Sequence, residues 1–346
     1  MARISVRYAA SFKISSAVCS CAVIFCSFFV TASRTEGKES NLSHENEKHW
    51  VSAVFDHFTS ATDALQWSDI RVLSNWRIQQ HAQSESYRIL NMNDKVVVEG
   101  TLDVCSRNFS NLIQNGDIDS LRNDAVILIH GLGESRSAMN PLVAFLDKNM
   151  SASIMTFGYA SPQATLASHA RALEKVLASL PPTTTVSFVG HSLGNLVVRR
   201  WLQIAQPEMI NRINRMVMLG PPNQGSDLAR LAAHNHWLKT MASGAARELV
   251  LDWDTIRNDL QIPPFQYGII AGGKGDNEGY SSILEGDDDA IVRVSETQLS
   301  GADGFLVLPV RHSRMMKNPD VQMETLNFLQ TGQFAKKTNV TNLSEK

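Results

Sequence analysis

The sequence predicts an α/β fold built on a mostly parallel central sheet flanked by helices, with antiparallel edge strands on its N-terminal side. Three observations carry this prediction. From Ala125 onward, short apolar runs alternate with helix-like stretches, the pattern of parallel strands joined by helical crossovers. Upstream, residues 76–82 and 87–92 read as strands, and Asn93-Asp94 turns the chain into a third run over residues 95–102. Finally, Gly190-His191-Ser192-Leu193-Gly194 falls between the apolar run 185–189 and a helix-like stretch beginning at Asn195, where a parallel sheet passes from strand to helix.

Taken in order, the elements begin with a targeting pattern. Arg3, Arg7 and Lys13 precede an almost uncharged stretch from Ile14 to Ala32, and Val30-Thr31-Ala32 fits cleavage after Ala32. The same stretch is long enough to stay as an N-terminal membrane anchor, so residues 1–32 are read as a signal peptide or an anchor. Either reading places the protein outside the cytoplasm. Residues 33–48 are polar and read as a flexible spacer. Residues 49–94 form a helical and β extension packed on the core, in which Val51, Val54, Phe55, Phe58, Leu65 and Ile70 have helical spacing in two pieces.

The main domain is expected over residues 95–332. Its strands are placed at 125–129, 153–157, 186–189, 216–219, 267–271 and 305–310, and its helices at 142–149, 164–180, 193–204 and 321–330. The helix over 164–180 is the clearest, with Leu166, Ala170, Leu173, Val176 and Leu177 on one face. Between two of the strands, residues 226–264 are too long for a plain connection and carry Leu228, Leu231, Trp237, Leu238, Met241, Leu249 and Leu251. That segment is read as a helical cap insert. Residues 333–346 are read as a disordered tail.

Composition narrows the function classes. A chain of 346 residues, 43% hydrophobic, buries a large core in one large domain or two modest ones. Its net charge of -2 becomes -5 if residues 1–32, with three cations and no anions, are removed; nucleic acid is therefore not an expected partner. Cys19, Cys21 and Cys26 lie in the apolar segment, so Cys105 alone remains in a processed chain, which then has no intrachain disulfide.

The chemistry starts at Ser192. A serine turned outward at a sharp strand-to-helix corner needs small neighbours on both sides, and the following helix directs N–H groups and positive dipole at the reacting oxygen. A second loop, His130-Gly131-Leu132-Gly133-Glu134, follows the apolar run 126–129. Its glycines let backbone N–H groups turn inward, so the N–H of Leu132 and that of Leu193 are the candidate oxyanion-hole pair; His130 is expected to fix the loop. The loop lacks the third glycine of a dinucleotide fingerprint and the Lys-Ser/Thr end of a phosphate loop.

The base is expected after the last strand, where His312 lies. The acid that orients it falls among Asp276, Asp287, Asp288, Asp289 and Asp303, with Asp289 favoured because it directly precedes the apolar turn Ala290-Ile291-Val292. Asp287 and Asp288 are then solvated loop charges, or join Asp289 in a calcium site. His234 and His236 have no matching carboxylate or thiolate spacing and are read as surface or lid residues.

Together, the loop 130–133, the pentapeptide 190–194, the segment Gly220-Pro221-Pro222-Asn223-Gln224-Gly225-Ser226, Asp289-Ala290-Ile291-Val292 and His312 resemble the α/β-hydrolase family, especially its bacterial lipases and esterases. The resemblance covers about residues 95–332. It implies a serine hydrolase that forms an acyl-enzyme on a Ser192, His312, Asp289 triad, acting on an acyl ester or lipid and needing no cofactor. Membrane association through the N-terminal segment or the cap is an expectation. Where such lipases commonly read Gly-Thr-Pro-His-x-Gly-Ser, this chain has Pro222 and Asn223, which leaves the substrate class open. An acyltransferase or thioesterase on envelope lipids, and a catalytically silent binding protein, are the alternatives.

Overall fold

The computed structural model describes residues 63–233 and 243–335. The signal or anchor segment, the spacer, residues 49–62 of the extension, the His234 to Met241 part of the insert and residues 336–346 lie outside the described residues.

Four antiparallel strands come first: β1 (Trp67–Leu73), β2 (Trp76–His81), β3 (Tyr87–Leu90) and β4 (Val96–Gly100), paired in that order. The helical spacing expected through Leu65 and Ile70 is corrected here, because residues 67–73 are a strand. Trp67 and Asp69 are buried, then Ile70, the extra residue of a bulge between Asp69 and Arg71, and then Val72, so the strict alternation of a strand is lost from the sequence. Ser74 and Asn75, both at positive φ, close the β1–β2 hairpin as its two-residue turn. The expected turn at Asn93-Asp94 is present, with Asp94 at φ 62° and the Asn91 side chain accepting from the Asn93 and Lys95 N–H groups.

These strands form a sheet of their own. The boundary expected at residue 95 therefore falls inside it, since β4 pairs with β3. The run expected to stay extended to Leu102 instead ends at Gly100 and enters a helix absent from the expected set, α1 (Leu102–Gln114), capped by the Thr101 hydroxyl, which accepts from the Val104 N–H. Cys105 and Phe109 of α1 pack with Ile70, Ile78 and Ile89 in a small core under this sheet.

The second sheet has six parallel strands: β5 (Asp124–Ile129), β6 (Ser153–Phe157), β7 (Thr185–His191), β8 (Ile213–Leu219), β9 (Gln266–Gly272) and β10 (Gly304–Leu308). Their spatial order is β10-β9-β8-β7-β5-β6, with every pair parallel. Helices α2 (Asn140–Asn149), α3 (Leu166–Ala178), α4 (Leu193–Trp201) and the short α5 (Pro207–Ile210) fill the crossovers. Three more, α6 (Asp227–Ala233), α7 (Gly244–Leu251) and α8 (Trp253–Ile256), lie between β8 and β9, and α9 (Pro319–Thr331) ends the fold.

Successive side chains of one strand serve different cores. Ile127 and Ile129 of β5 pack with α3 and α4, whereas Val126 and Leu128 pack with α2 and α9. Burial on both faces is why these strands read as continuous apolar runs. Phe334 also packs on Phe328, 4.9 Å between ring centroids, so the core extends two residues past the boundary expected at 332.

The order of the strands places the site. Strand β5 has β6 on one side and β7 on the other, so the order in which strands are added reverses there, and the crevice beyond the carboxyl ends of β5 and β7 is a topological switch point. The loop at His130 and the corner at Ser192 both leave from it.

Candidate active site

Ser192 sits between the end of β7 and the first residue of α4 with φ 51° and ψ -121°. For a residue with a Cβ this conformation is strained, and its neighbours hold it there. The Ser192 N–H donates to Leu219 O at 2.9 Å, while Ser192 O accepts from both the backbone and the side-chain N–H of Asn195, at 3.1 and 3.0 Å. The glycines are required by close approach: a Cβ on Gly190 would lie 2.3 Å from Asn195 Oδ1, and one on Gly194 2.4 Å from Ile129 O. Ser192 itself is half-buried between the buried His191 and Leu193.

His312 and Asp289 meet 23 residues apart in sequence. The His312 Nδ1–H donates to Asp289 Oδ2 at 2.6 Å, and the His312 backbone N–H donates to Asp289 O at 2.8 Å. The other oxygen, Asp289 Oδ1, accepts from the N–H groups of Ile291 and Val292 at 3.0 and 2.8 Å. This turn, with Ala290 at φ 85°, is why an acid followed by an apolar tripeptide is the right local sequence. The arrangement fixes the tautomer: with the proton on Nδ1, Nε2 keeps its lone pair. Burial alone depresses the His312 pKa, but the charge and hydrogen bond of Asp289, with a smaller contribution from Glu134, raise it above the ordinary imidazole value.

The three consecutive acids differ in their partners. Asp287 accepts from the Lys274 and Gly275 N–H groups, and Asp288 from those of Tyr280, Ser281 and Ala290; only Asp289 of the three hydrogen-bonds His312. Among the described residues no group of three or more His, Cys, Asp or Glu side chains converges on a metal-sized site. Asp288, expected as a solvated charge, is instead fully buried, and its burial pushes its pKa up.

The serine corner and His312 lie against the same backbone. Leu219 O receives the Ser192 N–H, and a Cβ on the next residue, Gly220, would lie 3.0 Å from His312 Nδ1. The ring of His191, adjacent to Ser192, has its centroid 4.6 Å from that of His312.

The loop after β5 is held as expected by His130. Its Nδ1–H donates to Gly131 O at 2.9 Å, Nε2 accepts from the Tyr159 N–H at 3.3 Å, and the ring stacks on Tyr159 with 4.2 Å between centroids. Burial lowers its pKa to about 4, which keeps it neutral. Within the loop the Gly131 N–H donates to Glu134 Oε2 and the Gly133 N–H to Ser161 Oγ. Neither the Leu132 nor the Leu193 N–H has an acceptor among the described residues, as an oxyanion hole requires of its donors.

Several contributors were not anticipated from the sequence. Glu134 pairs with His191 across 57 residues, Nδ1 to Oε2 at 3.0 Å. Arg199 of α4, buried and with no carboxylate partner among the described residues, donates to Asn223 O and Oδ1, Leu260 O and Gln261 O. That contact explains Asn223, whose side chain also donates to Thr297 O at 2.8 Å: it braces the loop after β8 from below. Charge alternation gives no hint of these pairings, because each joins residues far apart in sequence.

Comparison with known proteins bears on the fold. A family model described as the α/β hydrolase fold matches residues 124–249. Among solved structures, the propeptide form of the Bacillus licheniformis lipase BlEst2 is similar over 63% of this chain and 52% of that one, at 20% identity and a TM-score of 0.51. Its mature form is similar over 60% of this chain and 90% of that one, at 21% identity and a TM-score of 0.49. The Legionella pneumophila phospholipase PlaB is similar over 61% of this chain and 60% of that one, at 18% identity and a TM-score of 0.48. No curated protein matches the chain. The chain thus has the α/β-hydrolase fold, as the resemblance in its motifs implies.

Proposed function

We propose that the protein is a serine hydrolase that cleaves carboxylic esters through an acyl-enzyme. The observation that carries this reading is the hydrogen bond from His312 Nδ1–H to Asp289 Oδ2 beside a serine held at positive φ on a strand-to-helix corner. Ser192 Oγ attacks the ester carbonyl while His312 Nε2 takes its proton, and Asp289 stabilises the imidazolium that results. The N–H groups of Leu132 and Leu193 receive the oxyanion of the tetrahedral intermediate. Collapse expels the alcohol, protonated by His312, and water activated by the same ring then frees Ser192.

The helices between β8 and β9 are proposed to cap the acyl pocket, since they follow the loop that carries Asn223 and touch the loop before α3, where the Ala245 N–H donates to Ala164 O. Action outside the cytoplasm is proposed from the charged start and apolar stretch of residues 1–32; no helix among the described residues is long and apolar enough to cross a membrane.

The test uses the chain lacking residues 1–32, a panel of p-nitrophenyl esters of increasing acyl length, and a fluorophosphonate that labels reactive serines. Wild-type protein should label and hydrolyse at least one ester, and Ser192→Ala should do neither. A Ser192→Ala protein with the wild-type rate would refute the reading.

A further inference from the structure

The Glu134 side chain bridges the two backbone segments that carry the candidate oxyanion donors. Its Oε2 accepts the Gly131 N–H at 2.8 Å and the His191 Nδ1–H at 3.0 Å, so one carboxylate oxygen holds the loop after β5 and the end of β7 together. Each partner is close in sequence to a donor site: Gly131 directly precedes Leu132, and His191 lies two residues before Leu193. The Gly133 and Glu134 N–H groups are occupied, by Ser161 Oγ and Gly131 O, and the register that pairs β5 with β7 ends at Ile129 and Gly190, before the loop begins. His191 makes no competing bond, because its Nε2 is buried without a partner among the described residues.

We infer that Glu134 is a positioning residue for acyl transfer, its carboxylate clamping the loop to the serine corner and so setting the separation of the Leu132 and Leu193 N–H groups. The inference rests on the hydrolase reading. An oxyanion hole works only when both donors are preorganised around the position the oxyanion will take, and a small displacement of one forfeits transition-state stabilisation without weakening ground-state binding. The clamp is also charged at working pH. Burial opposes ionisation, but His191 and the Gly131 N–H outweigh it and hold the Glu134 pKa down at about 2. The ionisable groups acting on the His312 ring are Asp289 from the turn after β9 and Glu134 from the loop after β5, with His191 of β7 packed beside it.

Charge and reach are separable by substitution. Glu134→Gln keeps the length and removes the charge; Glu134→Asp keeps the charge and is too short to span both partners; His191→Gln breaks the clamp from the other side. Rates are measured per site titrated with the fluorophosphonate, so loss of folded protein does not count as loss of kcat. Glu134→Asp and His191→Gln should lose about tenfold or more in kcat with little change in KM. In Glu134→Gln, a charge that favours imidazolium is gone, so the neutral base persists to lower pH and the acid limb of kcat/KM moves down; in Glu134→Asp it should stay in place. Wild-type kcat per titrated site in Glu134→Asp and His191→Gln, or a loss confined to the number of titrated sites, would overturn the inference. Wild-type protein that neither labels nor hydrolyses would overturn the hydrolase reading beneath it, a distinct result.

Discussion

At the scale of single residues, the site depends on which atom of Asp289 faces which donor. Oδ1 is consumed by the Ile291 and Val292 N–H groups, leaving Oδ2 for His312. An asparagine in the same turn keeps Oδ1 on its backbone donors and presents an NH2 group to the ring, which then gives up the Nδ1–H tautomer and with it the free Nε2 lone pair. Asp289→Asn is therefore expected to lose on the order of 10³–10⁴-fold in kcat. The pH profile carries the same sign. His312 titrates above the ordinary imidazole value and, in the proposed mechanism, acts as a base only when neutral, so the acid limb of wild-type kcat/KM should lie above that value, and the residual activity of Asp289→Asn should retain its base form to lower pH. Steady-state rates across the acid limb check both, and wild-type kcat in Asp289→Asn would exclude it as the orienting acid. The placement of Ser192 at a strand-to-helix corner and the meeting of Asp289 with His312 were legible in the sequence because each residue sits next to a local backbone signal: flanking glycines, the end of the last strand, an acid ahead of an apolar turn. Glu134 had no such signal, since its partner His191 is brought to it only by the pairing of β5 with β7.

At the scale of elements, the parallel strands and their crossover helices were legible because two-sided burial writes itself as apolar runs and one-sided burial as helical spacing. The strand β1 was not, because its bulge breaks the alternation of period two and because a buried polar residue, Asp69, takes a core position. Helix α1 was hidden by the strand-like valines just before it, and its capping threonine was the available signal. The joint between α4 and the segment preceding β9 is a further case, since the partners of Arg199 among the described residues are carbonyl oxygens. Burial lowers its pKa to about 10, yet it stays cationic and satisfies Asn223, Leu260 and Gln261 at once. Arg199→Met fills similar volume and leaves the acceptors of the buried Asn223 and Leu260 unpaired in the interior. Because each buried acceptor left without a donor costs about 1–3 kcal/mol, the variant should be destabilised by about 3 kcal/mol or more in urea unfolding. A variant as stable as wild type would mean that water reaches these carbonyls.

At the scale of the whole molecule, the antiparallel sheet is joined to the parallel one by a buried polar hub rather than by strand pairing. Arg77 Nη1 donates to Asp69 Oδ2 at 2.6 Å within the first sheet and to Thr156 O of β6 at 3.2 Å; Asp69 Oδ2 also accepts the Gly158 N–H at 2.7 Å, and Gln79 Nε2 donates to Asp69 Oδ1 at 2.8 Å. Both ions of the pair are essentially inaccessible, 1% exposed for the Arg77 side chain and 0% for that of Asp69, so neither can exchange its partner for water. Breaking such a pair from one side strands a buried charge and typically costs about 3–5 kcal/mol, whereas an apolar replacement of both sides need not. Arg77→Met is therefore expected to lose about that much stability, and Asp69→Leu in the same chain should recover part of it. Because the hub ties both sheets, the loss should fall on a single cooperative transition. Trp67 and Trp76 report on the first sheet and Trp201 on the core of the second, so tryptophan fluorescence and circular dichroism in urea should shift together. Two separated transitions in wild-type protein would show instead that the antiparallel sheet folds as an independent unit, and the hub would then be a local contact with no role in joining them.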